Sequence, residues 1–168
     1  MQITIQKEVK KSWALFLGIG TMMIAHGLQL QVMGIRSVVE NFNVVTTGNF
    51  MSGYYVGYFL GSHTTPKLVQ KVGHIRVFAA FASLASLSAL VAAVYVNPFM
   101  WTLSRFITGI SLVSCYVVTE SWLNDRATNK NRGQLLSAYM IILYSGLGIG
   151  MLLLNVSNPK NYEPFILV

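Results

Sequence analysis

Charge is scarce in this chain, and acid is scarcer: 10% of its 168 residues are charged, with 5 aspartates and glutamates against 12 lysines and arginines. A net charge of +7 could suggest nucleic acid. Its basic residues cluster between apolar runs, however, which fits lipid headgroups better and argues against a nucleic-acid partner. A single cysteine, Cys115, lies inside an apolar run, which excludes a disulfide framework or a cysteine-rich metal site within the chain. There is no Gly-rich phosphate loop with a lysine, no His-Glu-x-x-His and no serine in a Gly-x-Ser-x-Gly setting. The expectation is a protein that is not an enzyme and holds no metal or cofactor.

What the chain has is apolar length. Hydrophobic residues make up 54% of it and the mean hydropathy is +0.55, outside ordinary globular composition. A span needs about 20 apolar residues, and the spacing predicts five helices, near 12–35, 48–68, 77–96, 99–123 and 134–156. Pro98 after Asn97 divides the long uncharged stretch that follows Arg76, because proline ends helices and restricts the residue before it. The first run is too long for the core of a signal peptide and should remain as a membrane helix. The chain turns apolar again at Pro164 to Val168, as at the start of a sixth helix near 164. The fold class is therefore all-α, a polytopic transmembrane bundle, and residues 1–168 read as one incomplete domain.

Lysines and arginines orient the bundle. With the amino terminus cytoplasmic, nine fall inside (Lys7, Lys10, Lys11, Lys67, Lys71, Arg76, Arg126, Lys130 and Arg132) and two outside (Arg36 and Lys160). Arg105 is left within a span. A charge at bilayer depth costs a few kcal/mol, so Arg105 requires a protein interior or a wet cavity. At 1.5 Å per residue it lies about 12 Å in from the outer side, and Glu120 lies roughly 22 Å further along the same helix, too far to pair. Glu120 falls near the inner end, where it is expected to join Lys71, Arg76, Arg126 and Arg132 in a charge cluster that closes the cytoplasmic side. The competing role for Glu120 is proton binding.

Other spans add polar and small groups. His26 and Gln29 share a helix face and are expected to line a cavity, with Tyr54 and Tyr55 as its aromatic walls and Tyr58 beside them. Trp13 and Trp101 read as interface anchors. Gly53, Gly57 and Gly61 form a smooth ridge that admits another backbone, and Gly146 and Gly150 repeat the device. In the basic stretch Thr65 to Arg76, Gly73 suits a tight turn, and its cations can also meet anionic lipid.

Around that turn, Lys71-x-Gly73-x-x-Arg76 resembles the signature loop of the major facilitator superfamily, with Gln70 where an acid is usual and His74 in the next basic position. Arg105-x-x-x-Gly109 resembles that family's fourth-helix motif. Further blocks look like its YcaD-like bacterial subgroup: Gly27-Leu28-Gln29, Arg36, Ser52-Gly53-Tyr54, Val72 to Phe78, Glu120 to Ala127 and Asn131 to Leu136.

The resemblance implies the amino-terminal half of a twelve-helix secondary transporter of the bacterial inner membrane. Its partners would be a small-molecule substrate, protons as the default coupling ion, membrane lipids and the missing carboxy-terminal six-helix half. Alternating access would work about a midplane site, with no nucleotide domain present to use ATP. The competing readings are a non-transporting assembly or sensory protein that keeps the fold, and a truncated, non-functional gene product. No ring-forming filter segment suggests a channel.

Overall fold

Short polar punctuation between long apolar runs sets the helix boundaries in the computed structural model, which describes residues 13–154. The expected sixth-helix start near 164 and the terminal lysines Lys7, Lys10, Lys11 and Lys160 lie outside these residues. Five helices follow one another: α1 (Trp13–Val39), α2 (Val44–Val72), α3 (His74–Val94), α4 (Pro98–Arg126) and α5 (Arg132–Leu153). Among the described residues there is no strand.

The caps are local chemistry. The Asn43 side chain accepts a hydrogen bond from the Thr46 amide at 2.7 Å to start α2, and Asn97 accepts from the Met100 amide at 3.1 Å to start α4. Pro98 occupies the first turn of α4, where its missing N–H costs nothing. Between α4 and α5 the Asn131 side chain takes the Thr128 amide at 2.7 Å and hydroxyl at 3.0 Å, which shapes a tight connection.

Two expectations need correction, and α2 stands apart in its composition. The stretch Thr65 to Arg76 is not a loop, because α2 continues through Pro66 to Val72 and only Gly73, at φ +90°, separates it from α3. Thr64 and Thr65 hydroxyls bond back to the carbonyls of Leu60 and Gly61 in the turn that Pro66 leaves one donor short. Four of the five helices are long and apolar enough to cross a membrane, and α2 is the exception, diluted by its threonines, serines and charged end. Trp101 is no interface anchor: it is fully buried, edge-on to Phe42 and Phe50, and its indole N–H donates to the Ala92 carbonyl at 3.0 Å. Trp13, 63% exposed at the start of α1, keeps the exposure an anchor needs.

Two close parallel helix pairs define the packing, α2 with α4 and α1 with α5, and α3 lies against α4. Both pairs touch backbone to backbone at glycines. A Cβ added at Gly57 would overlap the Phe106 carbonyl, and one at Gly109 would overlap the Tyr54 carbonyl. Across the other pair, Gly150 meets the Ile24 carbonyl and Gly27 the Leu147 carbonyl in the same way. Gly53 faces Thr102 as Gly146 faces Gly20. Gly20, Ile24 and Gly27 on α1 stand to Thr102, Phe106 and Gly109 on α4 at one constant separation in sequence. Gly53, Tyr54 and Gly57 on α2 stand to Gly146, Leu147 and Gly150 on α5 at another. The contacts of one pair thus reproduce those of the other with the order of the helices exchanged, the mark of an internal repeat in which α1 corresponds to α4 and α2 to α5. Successive helices joined by short connections run in opposite directions, so α1 and α4, three helices apart, point oppositely and the repeat is inverted.

Polar bonds add to the glycine seams. Thr65 and Ser114 hydroxyls lie 2.7 Å apart between α2 and α4. Ser88 and Thr108 lie 2.8 Å apart between α3 and α4, where Ser104 also donates to the Ser88 carbonyl at 2.7 Å.

Gly57→Ala should lower the thermal midpoint in detergent by several degrees, because pushing a methyl into a packed backbone costs about 1–3 kcal/mol. Gly48→Ala, at a position with nothing within 4 Å, should leave the midpoint unchanged or raise it. Equal midpoints for the two variants would refute the glycine seam as a packing constraint.

Candidate functional site

Arg105 sits two turns into α4 and is 1% exposed. Among the described residues its Nη2 reaches only the Met51 sulfur, at 3.6 Å, and its Nε and Nη1 are buried with no hydrogen-bond partner. Thioether sulfur is a weak acceptor. The guanidinium therefore keeps nearly all of its donor capacity, and it faces a cavity of about 330 Å³ lined by α1, α2, α4 and α5.

Three of the residues expected beside it are there. His26, Tyr54 and Tyr55 line the same cavity. The His26 ring stacks on Tyr54 with centroids 5.6 Å apart and planes 17° apart, and Tyr55 stands edge-on to Tyr54 at 5.3 Å and 86°. Helical periodicity explains His26, which comes from α1 opposite the first turns of α2 and α4. Gln29 is not brought to the arginine. It lines a second cavity of about 310 Å³ between α1, α3 and α4 with Ser86 and Thr108, and its Nε2 has no partner among the described residues. His26 borders both cavities and so forms the polar wall between them.

Sequence reasoning missed Met51, Tyr116 and Tyr144, which complete the arginine cavity. Tyr116 follows Arg105 by three turns of the same helix, so its shared face was a signal available from periodicity. For Tyr144 no comparable signal exists, since its place depends on the register of α5 against α1.

Glu120 departs from expectation. Among the described residues it makes no ion pair with Lys71, Arg76, Arg126 or Arg132. Its Oε1 accepts from the Tyr139 hydroxyl of α5 at 3.4 Å, and it borders a cavity of about 240 Å³ with Tyr58, Tyr116 and Tyr144. Tyr116, Leu143 and Tyr144 also border the arginine cavity. The two charges therefore stand at separate points along one tyrosine-lined face of α4 and α5.

The acid that meets the basic turn is Asp125. His74 Nε2 lies 3.7 Å from the Asp125 carboxylate and 3.0 Å from the Ser121 hydroxyl, and Arg126 covers the Trp122 ring at 5.2 Å. The interaction with Asp125 becomes an ion pair when the imidazole is protonated. Gly73, Arg76 and Arg126 line the same open cleft. Lys71 and Arg132 are exposed. The elements joined are the start of α3 and the end of α4. Helix α4 passes from the seam with α2 to this contact without a break, because its last turn is capped by the Ala127 amide on the Leu123 and Asn124 carbonyls.

A bundle of apolar helices with an inverted repeat and a buried, cavity-facing cation has the architecture of a polytopic membrane protein. Residues 15–156 match the Major Facilitator Superfamily, and the chain belongs to it. It is 32% identical over 116 residues to an MFS-type transporter of Enterobacter sp. (strain 638), a match covering 69% of this chain and 30% of that protein. The same identity and coverage hold for the MFS-type transporter YcaD of Escherichia fergusonii. YcaD of Salmonella newport is 33% identical over 108 residues, 64% of this chain and 28% of that protein. The chain thus spans about 30% of the length of the curated relatives it matches. No solved structure matches it.

Arg105→Met keeps the aliphatic stem and removes the charge. Because the guanidinium has almost no partner to lose, the variant should be as stable as the parent or more stable by about 1–3 kcal/mol. Thermal unfolding in detergent measures this. A fall of the midpoint by several degrees would make Arg105 a structural residue that satisfies the bundle.

Proposed function

We propose that this chain forms the amino-terminal half of a secondary transporter that moves a small solute across the bacterial inner membrane by alternating access, with its amino terminus cytoplasmic. The observation that carries the reading is Arg105: a buried cation with two unpartnered nitrogens, open to a cavity rather than to lipid. Retaining such a group costs stability unless something that enters the cavity complements it. His26, Tyr54 and Tyr55 form the rest of this half's wall, and Gln29 holds the far side of His26. The carboxy-terminal half closes the cavity from the opposite side.

Coupling falls to Glu120. Among the described residues it is the one carboxylate on the tyrosine-lined side of the bundle, and its hydrogen bond is to a tyrosine rather than to a cation. A carboxylate so placed can take up a proton when the cavity opens to one side and release it to the other. Asp125 and His74 take the acidic and basic parts of the inner gate, flanked by Lys71, Arg76, Arg126 and Arg132. Membrane lipid contacts the exposed cations of that surface.

The test is solute counterflow in proteoliposomes over a panel of small organic solutes, with an internal pH dye. Glu120→Gln should abolish the solute-induced pH change while solute exchange persists. A persisting pH change would remove Glu120 from the coupling step, and a panel without any exchange in the parent protein would sink the transport reading itself.

A further inference from the structure

The cavity's own chemistry narrows what can enter it, given the transport reading above. Arg105 contributes a fixed positive charge, and no carboxylate is among the residues that line the cavity, so within this half its counter-charge has to arrive with the occupant. Among the described residues there is no second lysine or arginine on the lining, so this half matches one negative charge rather than two. Planar, delocalised guanidinium groups match carboxylates better than they match spherical ions.

Apart from the His26 imidazole, the remaining surface is apolar and aromatic. Met23, Met51, Leu143 and Leu147 supply aliphatic and thioether contact, and Tyr54, Tyr55 and Tyr144 supply rings. Tyr55 and Tyr144 are 71% and 65% exposed, so their rings are not spent on packing within the bundle. Tyr54 is held in place from α1 by the stacked His26 ring and lies against the arginine's helix at the Gly109 contact. That fixes an aromatic wall beside the cation. The space of about 330 Å³ that this half contributes is large enough to take a single ring.

We propose that the Arg105 cavity binds a monocarboxylate carried on a single aromatic ring, with the carboxylate on Arg105 and the ring against Tyr54, Tyr55 and Tyr144. Inorganic anions gain the charge and forfeit the apolar wall. Neutral aromatics gain the wall and leave the buried guanidinium unpartnered.

Benzoate is the probe, titrated calorimetrically into the reconstituted protein beside acetate, inorganic phosphate, benzamide and benzylamine. Benzoate should bind saturably and at least about tenfold more tightly than any of the four, a difference of about 1.4 kcal/mol. Arg105→Met should abolish benzoate binding while the protein stays monodisperse with its thermal midpoint preserved. Tyr54→Leu should weaken benzoate by about tenfold and leave acetate unchanged. The proposal is overturned by benzamide or benzylamine matching benzoate, by acetate or phosphate matching it, by unchanged binding in Arg105→Met, or by no saturable binding at all. Its failure is separable from that of the transport reading. Saturable benzoate binding without counterflow would remove transport and keep the ligand class, whereas counterflow of a neutral solute surviving in Arg105→Met would do the reverse.

Discussion

Close approach of helix backbones at glycine is the constraint on which the rest of this structure depends. In lipid there is no apolar driving force between helices, so association rests on contact and on the polar bonds that contact permits. Gly57 and Gly109 let α2 and α4 touch, and Gly27 and Gly150 do the same for α1 and α5. Only at such a distance can the Thr65 and Ser114 hydroxyls meet. The same seam positions Tyr54, whose carbonyl faces Gly109, beside Arg105 one turn away on α4. Packing and site are consequences of the same few missing side chains.

The charged groups follow from this frame. Arg105 is buried by α1, α2 and α5 closing around α4, yet none of the three offers it an acceptor stronger than a methionine sulfur. Glu120, further along, is held by a tyrosine of α5 and is kept apart from the basic cluster below it. Asp125 projects beyond the seam, 67% exposed, and meets His74 there. One helix therefore carries these three charges in three environments, with Arg126 over Trp122 as a fourth, and its neighbours, rather than its own sequence, decide which is paired.

That distinction also marks how far the sequence was legible. The α3–α4 break was plain because Asn97 and Pro98 act within one turn. The glycine ridges were plain because spacing every four residues defines a face whatever lies opposite. His26, Tyr54 and Tyr55 could be assigned to an interior face for the same reason. What could not be read depends on which helix stands opposite. Gln29 shares a face with His26 but meets α3 instead of α2, and Trp101 is anchored inward by Ala92 and two phenylalanines. Glu120 found Tyr139 rather than an arginine. The helical course of Thr65 to Gly73 was hidden by Pro66, whose local preference to end a helix is overridden by the threonine bonds and by the packing of Thr65 and Val69 against neighbouring helices.

The composition of α2 has a further consequence, for the order in which the bundle assembles. It is the one helix short of the apolarity of a span, and the partner whose glycine receives it, α4, is synthesised only after α3. α2 is joined to α3 through the single residue Gly73, so the less apolar helix and the strongly apolar one form a tight hairpin before α4 is made. The seam with α4 is the contact that then fixes α2 in the bundle. Assembly and site therefore depend on one surface, and a side chain added there is felt by both.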